Sequence, residues 1–295
     1  MTNDEMKQII ARGDGFIAAL DQSGGSTPKA LAGYGVDAGA WSSDEEMYAL
    51  IHAMRSRIIG APSFCGGKVI GAILFERTMD GEVRGKSTPQ ALTDIGVVPF
   101  IKIDRGLEEE RDGVQMMKAM PELDGLLTRA KGLGVFGTKE RSVINLANAG
   151  GIAAIVAQQF DVARQVLAHG LMPIIEPEVN IKSAERAAAD RILLAEILKR
   201  LEAMPDGEQV MLKLSLPTAA GLFAPLIGHP KVLRVVALSG GFSRAEACTE
   251  LAKNPGMIAS FSRALLADLR DQQSDAEFDR TLGTAIDEIY EASVA

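Results

Sequence analysis

Charged side chains recur at the C-terminal ends of short apolar runs in this sequence. Asp21 ends the first run and Glu76 the second. Lys102 and Asp104 close a third, Lys139 and Arg141 a fourth, and Glu176 and Glu178 a fifth. Lys213 sits inside Val210-Met211-Leu212-Lys213-Leu214, Ser239 ends the seventh run, and the eighth reaches Arg263. Three runs carry their charges at i,i+2, the spacing that places both side chains on one face of a strand. An unpaired ion buried against helices costs several kcal/mol. These groups are therefore expected to share a face where they meet one another or solvent. Lys102, Lys139, Arg141, Lys213 and Arg263 suit phosphate oxygens or a carbonyl. Asp21, Glu76, Glu176 and Glu178 could move protons.

The residue types also narrow the nucleophile. His52 and His169 fall in helical patterns and His229 in a loop, so none stands at a strand end. Cys65 and Cys248 are far apart and form no C-x-x-C pair. A zinc site needs clustered His, Cys or carboxylate ligands, so neither a metal nor another cofactor is expected. A lysine on an apolar strand then becomes the leading nucleophile. An amine attacks a carbonyl only when uncharged, and both apolar burial and a neighbouring cation such as Lys139 favour that form.

Glycine supplies candidate anion cradles. Ser239-Gly240-Gly241 follows the seventh run, and Arg263 arrives with the eighth. Where no Cβ intrudes, backbone N–H groups can approach a phosphate closely. The first loop, Asp21-Gln22-Ser23-Gly24-Gly25-Ser26, has similar chemistry and could hold a second phosphate.

The elements that must position these residues follow from periodicity. Strand-like runs cover 15–21, 71–76, 97–104, 135–141, 172–178, 209–215, 232–239 and 257–263, and helical patterns separate them. The clearest helical patterns are 44–59, 152–169 and 184–201. Thr88-Pro89 opens a shorter helix with a proline of the kind favoured in a first turn. Eight buried strands alternating with helices predict parallel βα units, and at this length an α/β fold closed as a (β/α)8 TIM barrel. The active sites of such barrels lie at the C-terminal ends of the strands, with a phosphate site common after strands seven and eight. No linker or repeat divides residues 1–295, so one barrel domain is expected. Extra helices are expected before Gly15 and after about Asp275.

Bulk properties exclude several other classes. The net charge of −8 opposes a nucleic-acid surface. No apolar stretch is long enough for a bilayer, and acids stand where a signal peptide carries bases. A cytoplasmic protein with reduced thiols, no nucleic-acid or membrane partner, and a homo-oligomeric assembly is the expectation.

The runs Ala18-Ala19-Leu20-Asp21-Gln22-Ser23-Gly24-Gly25-Ser26, Ile101-Lys102-Ile103-Asp104-Arg105-Gly106, Ile174-Ile175-Glu176-Pro177-Glu178, Met211-Leu212-Lys213 and Leu238-Ser239-Gly240-Gly241 together resemble class I fructose-bisphosphate aldolase, most closely its short bacterial branch. The likeness runs through nearly the whole chain in order. It implies a metal-independent Schiff-base cleavage of fructose 1,6-bisphosphate to dihydroxyacetone phosphate and glyceraldehyde 3-phosphate, a reversible step of glycolysis and gluconeogenesis. It implies Lys213 as the Schiff-base lysine, Glu176 as the acid/base, Asp21 as the carboxylate at the scissile bond, and Lys139 as the cation beside the nucleophile. It further implies Ser239, Gly240, Gly241 and Arg263 at the C1 phosphate. Ser23, Ser26 and Lys102 would meet the far phosphate, with Arg141 another cleft cation and Glu178 a supporting carboxylate.

The chain departs from the longer animal enzymes in several places. It reads Lys29-Ala30 where they carry an arginine, Ser262 where they carry glycine before the strand-eight arginine, and Leu214-Ser215 after the lysine. It also lacks their tyrosine-ended tail, and Tyr290 falls in an amphipathic pattern that assigns it to helix packing. Another Schiff-base barrel such as a transaldolase, a phosphosugar isomerase, and a catalytically silent scaffold are the competing readings.

Overall fold

In the computed structural model, which describes residues 1–295, the apolar runs form one parallel sheet. Its strands are β1 (Phe16–Leu20), β2 (Val69–Leu74), β3 (Val98–Lys102), β4 (Gly137–Ile144), β5 (Met172–Val179), β6 (Val210–Ser215), β7 (Val232–Leu238) and β8 (Ile258–Ala259). Each pairs with the next in sequence order. The sheet curls until Ala19 of β1 donates its N–H to the carbonyl of Phe261, just past β8, at 3.1 Å. The result is a nearly closed TIM barrel, as the alternating pattern predicts.

Around it run α1 (Asn3–Arg12), α2 (Ser26–Tyr34), α3 (Asp44–Gly60), α4 (Glu76–Met79), α5 (Thr88–Asp94), α6 (Leu123–Gly132), α7 (Ala149–Ala168), α8 (Arg186–Ala203), α9 (Ala224–Ile227), α10 (Arg244–Leu251), α11 (Arg263–Leu266) and α12 (Asp275–Ser293). Local sequence dictates many of their ends. Thr2, Ser243 and Ser274 each form a capping box with a glutamate three residues on, satisfying N–H groups that the first turn leaves free.

Two apolar layers result from the alternation of side chains along each strand. The larger, of 62 buried residues, fills the space between sheet and helices. The smaller, of 14, fills the barrel and includes Ile17, Ile73, Phe100, Ile174, Met211, Val236 and Ile258. Met6 and Ile10 of α1 belong to this inner cluster, and Arg234 of β7 donates to the Ala11 carbonyl at 3.0 Å. Helix α1 therefore plugs the end of the barrel where the strands begin. At Gly137 a Cβ would lie 2.1 Å from the Met172 carbonyl, so the close approach of β4 to β5 requires glycine.

The structure moves several strand limits, and two of the shifts relocate candidate residues. Strand β2 stops at Leu74, and Glu76 opens α4, pairing with Arg105 at 2.7 Å and with Arg129 outside the barrel. A proton-transfer role for Glu76 is thereby excluded from the site described below. Strand β8 is short, and Arg263 is the first residue of α11 rather than the end of a strand.

Candidate active site

Continuing the inward alternation past the apolar layer gives the site directly. Ile17 and Ala19 lead to Asp21, Phe100 to Lys102, Ile174 to Glu176 and Glu178, and Met211 to Lys213. The register sets Lys102 opposite Lys139, and Arg141 opposite Glu176. These residues line one cleft of about 740 Å³ at the ends of the strands.

At its base, four buried charges alternate. Lys139 Nζ lies 2.7 Å from Asp21 Oδ2 and 2.9 Å from Glu176 Oε2, and Lys213 Nζ lies 3.1 Å from Glu176 Oε1. Two ammonium groups thus face two carboxylates, a neutral set with no side chain more than 11% exposed. Burial acts against ionised Asp21, yet Lys139, Lys213 and Lys102 outweigh it and hold its carboxyl below the usual range. Burial likewise opposes charged Lys139, but Asp21 and Glu176 override it and push its ammonium above the usual lysine range. The sequence reading has Lys139 repelling the proton of Lys213. In the structure Glu176 stands between the two amines, in contact with both.

Above this quartet the cleft wall alternates in the same way. Lys102 Nζ pairs with Asp104 Oδ1 at 2.8 Å, and Arg141 pairs with Glu178. Arg263 differs, for its guanidinium forms no ion pair and lies over Gly241, 3.7 Å from where a Cβ would stand. Gly240 and Gly241 have φ of +60° and +117°, a run of conformations that only glycine adopts readily, and a Cβ on Gly240 would strike Ile181 at 2.6 Å. Ser239 is buried beside them. On the opposite loop, Ser26 Oγ donates to the Ser23 carbonyl at 2.8 Å and accepts from the Ser23 N–H at 2.9 Å, closing a turn at the start of α2.

Of the candidate catalytic and phosphate-binding residues, all line this cleft except Glu76, which lies outside it, and Gly241, which adjoins it beneath Arg263. The histidines lie elsewhere: His52 meets the Glu82 carbonyl and His169 meets Asp124. No three His, Cys, Asp or Glu side chains are grouped as metal ligands would be, and no helix is long and apolar enough to cross a membrane. Tyr290 is on α12, with Lys68 Nζ 5.6 Å from its ring centre.

The sequence reading missed Arg55 and the role of Gln22. Arg55 is fully buried on α3 and donates to Gln22, which also lines the cleft. A signal was present: Arg55 stands at i+4 from Ile51 and i−3 from Ile58, inside the apolar stripe of its helix.

A family model described as fructose-bisphosphate aldolase class-I matches residues 2–219. A structure of fructose-bisphosphate aldolase from Plasmodium falciparum, in complex with TRAP and a small-molecule inhibitor, superposes with a TM-score of 0.78 at 20% identity, over 99% of this chain and 94% of that one. Cgl0159 from Corynebacterium glutamicum is similar at a TM-score of 0.55 and 15% identity, over 99% of this chain and 91% of that one.

Proposed function

Because the chain belongs to the class I fructose-bisphosphate aldolase family, we propose that it cleaves fructose 1,6-bisphosphate reversibly through a Schiff base on Lys213. The observation that carries the reading is the quartet of Lys213, Glu176, Lys139 and Asp21 at the base of a cation-rich cleft.

In this reading Glu176, in contact with Lys213, takes the proton that frees the amine. Lys213 Nζ then adds to the C2 carbonyl. Glu176 returns a proton to the carbinolamine oxygen, water leaves, and a protonated imine remains. Asp21, held ionised by its lysines, orients and polarises the C4 hydroxyl, and Glu176 helps to accept its proton. The C3–C4 bond breaks, its electron pair moves into the imine to give an enamine, and glyceraldehyde 3-phosphate departs. Protonation at C3 and addition of water release dihydroxyacetone phosphate and restore the lysine. Lys139 holds Asp21 and Glu176 together throughout, and no metal is needed as an electron sink because the imine serves as one.

Phosphate recognition is divided between the two loops. Ser239, Gly240, Gly241 and Arg263 hold the C1 phosphate. Ser23, Ser26 and Lys102 meet the far one, with Arg141 and its partner Glu178 between. The unpaired state of Arg263 supports the first assignment, for it is a planar fork with nothing yet to grip. The setting we propose is cytoplasmic glycolysis or gluconeogenesis, with a homo-oligomeric enzyme of one barrel domain per chain.

Incubation with fructose 1,6-bisphosphate in the presence of EDTA tests the reaction class. Equimolar dihydroxyacetone phosphate and glyceraldehyde 3-phosphate are expected, at the rate seen without chelator. Isomerised but uncleaved sugar, or activity lost to EDTA and restored by zinc, would contradict it.

A further inference from the structure

Between the two candidate phosphate loops lies a hydrogen-bond relay whose direction can be worked out from its buried end. Arg55 makes no ion pair. Its Nη1 donates to Thr78 Oγ1 at 2.7 Å, and its Nη2 donates to the Gln22 carbonyl at 2.5 Å and to Gln22 Oε1 at 3.2 Å. A guanidinium offers donors only. The amide atom of Gln22 that faces it must therefore be the oxygen, since the flipped amide would set two donors against each other. The amide nitrogen is thereby turned toward Ser262, with Nε2 2.6 Å from Oγ. That nitrogen donates, so Ser262 Oγ accepts.

The proton of Ser262 is then directed elsewhere, and the protein provides no acceptor for it. Ser262 occupies the residue before α11, where serine commonly caps the helix, yet its side chain makes no capping bond. Both Gln22 and Ser262 line the cleft, and so does Arg263, the next residue. An O–H without a protein acceptor and an unpaired guanidinium thus line the same cation-rich cleft from consecutive residues. Phosphate oxygens are the chemistry that both groups fit.

We infer that the Ser262 hydroxyl donates to the same substrate phosphate as Arg263, with Gln22 and Arg55 as positioning residues that fix its donating sense. The inference rests on the phosphate assignment proposed above. It also gives the Gln22 amide a specific use. A glutamate there would accept from Arg55 and from Ser262 alike, turning the hydroxyl inward and away from the ligand.

The test measures dissociation constants for dihydroxyacetone phosphate and for unphosphorylated dihydroxyacetone, together with borohydride trapping at Lys213, on the full chain. Ser262→Ala should weaken the phosphorylated ligand about tenfold or more, the range for a hydrogen bond to a charged group, and leave dihydroxyacetone unchanged. Ser262→Thr keeps the hydroxyl and should stay within about threefold of wild type. Gln22→Glu should weaken the phosphorylated ligand as well. Adding Ser262→Ala to Gln22→Glu should then cost less than about twofold more, because residues acting through one group are not additive.

Wild-type affinity in Ser262→Ala, or losses that multiply in the double variant, would overturn the inference. A Ser262→Thr protein as weak as Ser262→Ala would assign the effect to packing and overturn it equally. Trapping keeps the two levels apart. If wild type is labelled at Lys213 and Ser262→Ala binds normally, only the hydroxyl inference falls; if Lys213 is not labelled, the reading beneath it falls too.

Discussion

The two faces of β4 carry similar chemistry and opposite solutions to burying it. Inward, Lys139 and Arg141 each meet a carboxylate, and Lys139 meets two. Outward, Thr138, Glu140 and Ser142 are all fully buried, and none of their side-chain oxygens has a hydrogen-bond partner in the protein. Buried Gln159 of α7, the helix that follows, is likewise without one. The difference shows in titration. Asp21 on the paired side is held ionised. Glu140 is pushed well above the usual carboxylate range by burial first and then by the charge of Asp104, so it keeps its proton. Charge is kept where partners converge on the cleft and is extinguished one residue away.

Removing the central cation of the paired face should have the largest effect. Lys139→Met would leave Asp21 and Glu176 buried without their shared partner. A loss of about 3–5 kcal/mol in stability at neutral pH is expected, the usual cost of breaking a buried pair. Turnover should fall about a hundredfold or more, since proton transfer loses its positioned carboxylates. Denaturant titration and steady-state kinetics would measure both. A stable, active Lys139→Met would remove the contrast between the faces.

Arg263→Ala probes the cleft wall rather than its base. The expected loss is roughly 2–4 kcal/mol in kcat/KM, as for a charge-assisted contact in a partly closed site. Arg263→Lys should recover only part, because an ammonium keeps the charge and not the fork. Equal weakening of phosphorylated and unphosphorylated ligands would make Arg263 a structural prop.

Glu140 gives the smallest effect and the sharpest contrast in sign. Its folded pKa lies above the ordinary value of 4.5. As pH rises past that value the unfolded chain ionises while the folded chain keeps its proton. Stability should therefore fall with rising pH, by up to about 1.4 kcal/mol per unit, until the folded group itself ionises. Asp21 acts in the opposite sense. Its folded pKa lies below 3.8, so its contribution is present above that value and is lost as pH falls from there toward the depressed folded value. Glu140→Gln should flatten the fall in stability that begins above the ordinary carboxylate pKa of 4.5 and leave the acid limb due to Asp21 intact, with kcat changed less than about twofold. Unfolding free energies measured across pH would show it, and an unchanged fall above that value would mean that Glu140 is not buried in its neutral form.

The paired face was legible in the sequence for a physical reason. Period-two alternation forces Lys139 with Arg141, and Glu176 with Glu178, onto one side, and buried charge must converge on partners or solvent. The same rule sends Glu140 outward, but a neutral buried acid leaves no mark in a string of letters; K-E-R reads as three charges. Strand ends were less legible. The run through Glu76 continues in composition, yet Glu76 starts a helical turn and pairs with Arg105 and Arg129 outside the barrel. The link among Arg55, Gln22 and Ser262 joins residues as far as 240 positions apart. Only closure of the barrel between β1 and β8 brings them together.

The central claim, covalent catalysis by Lys213, is tested most directly by sodium borohydride reduction in the presence of dihydroxyacetone phosphate, followed by peptide mapping. Label is expected on Lys213 alone, with none in Lys213→Met, which should also be inactive because the covalent route has no substitute. Label on another lysine, or turnover by Lys213→Met, would contradict the account.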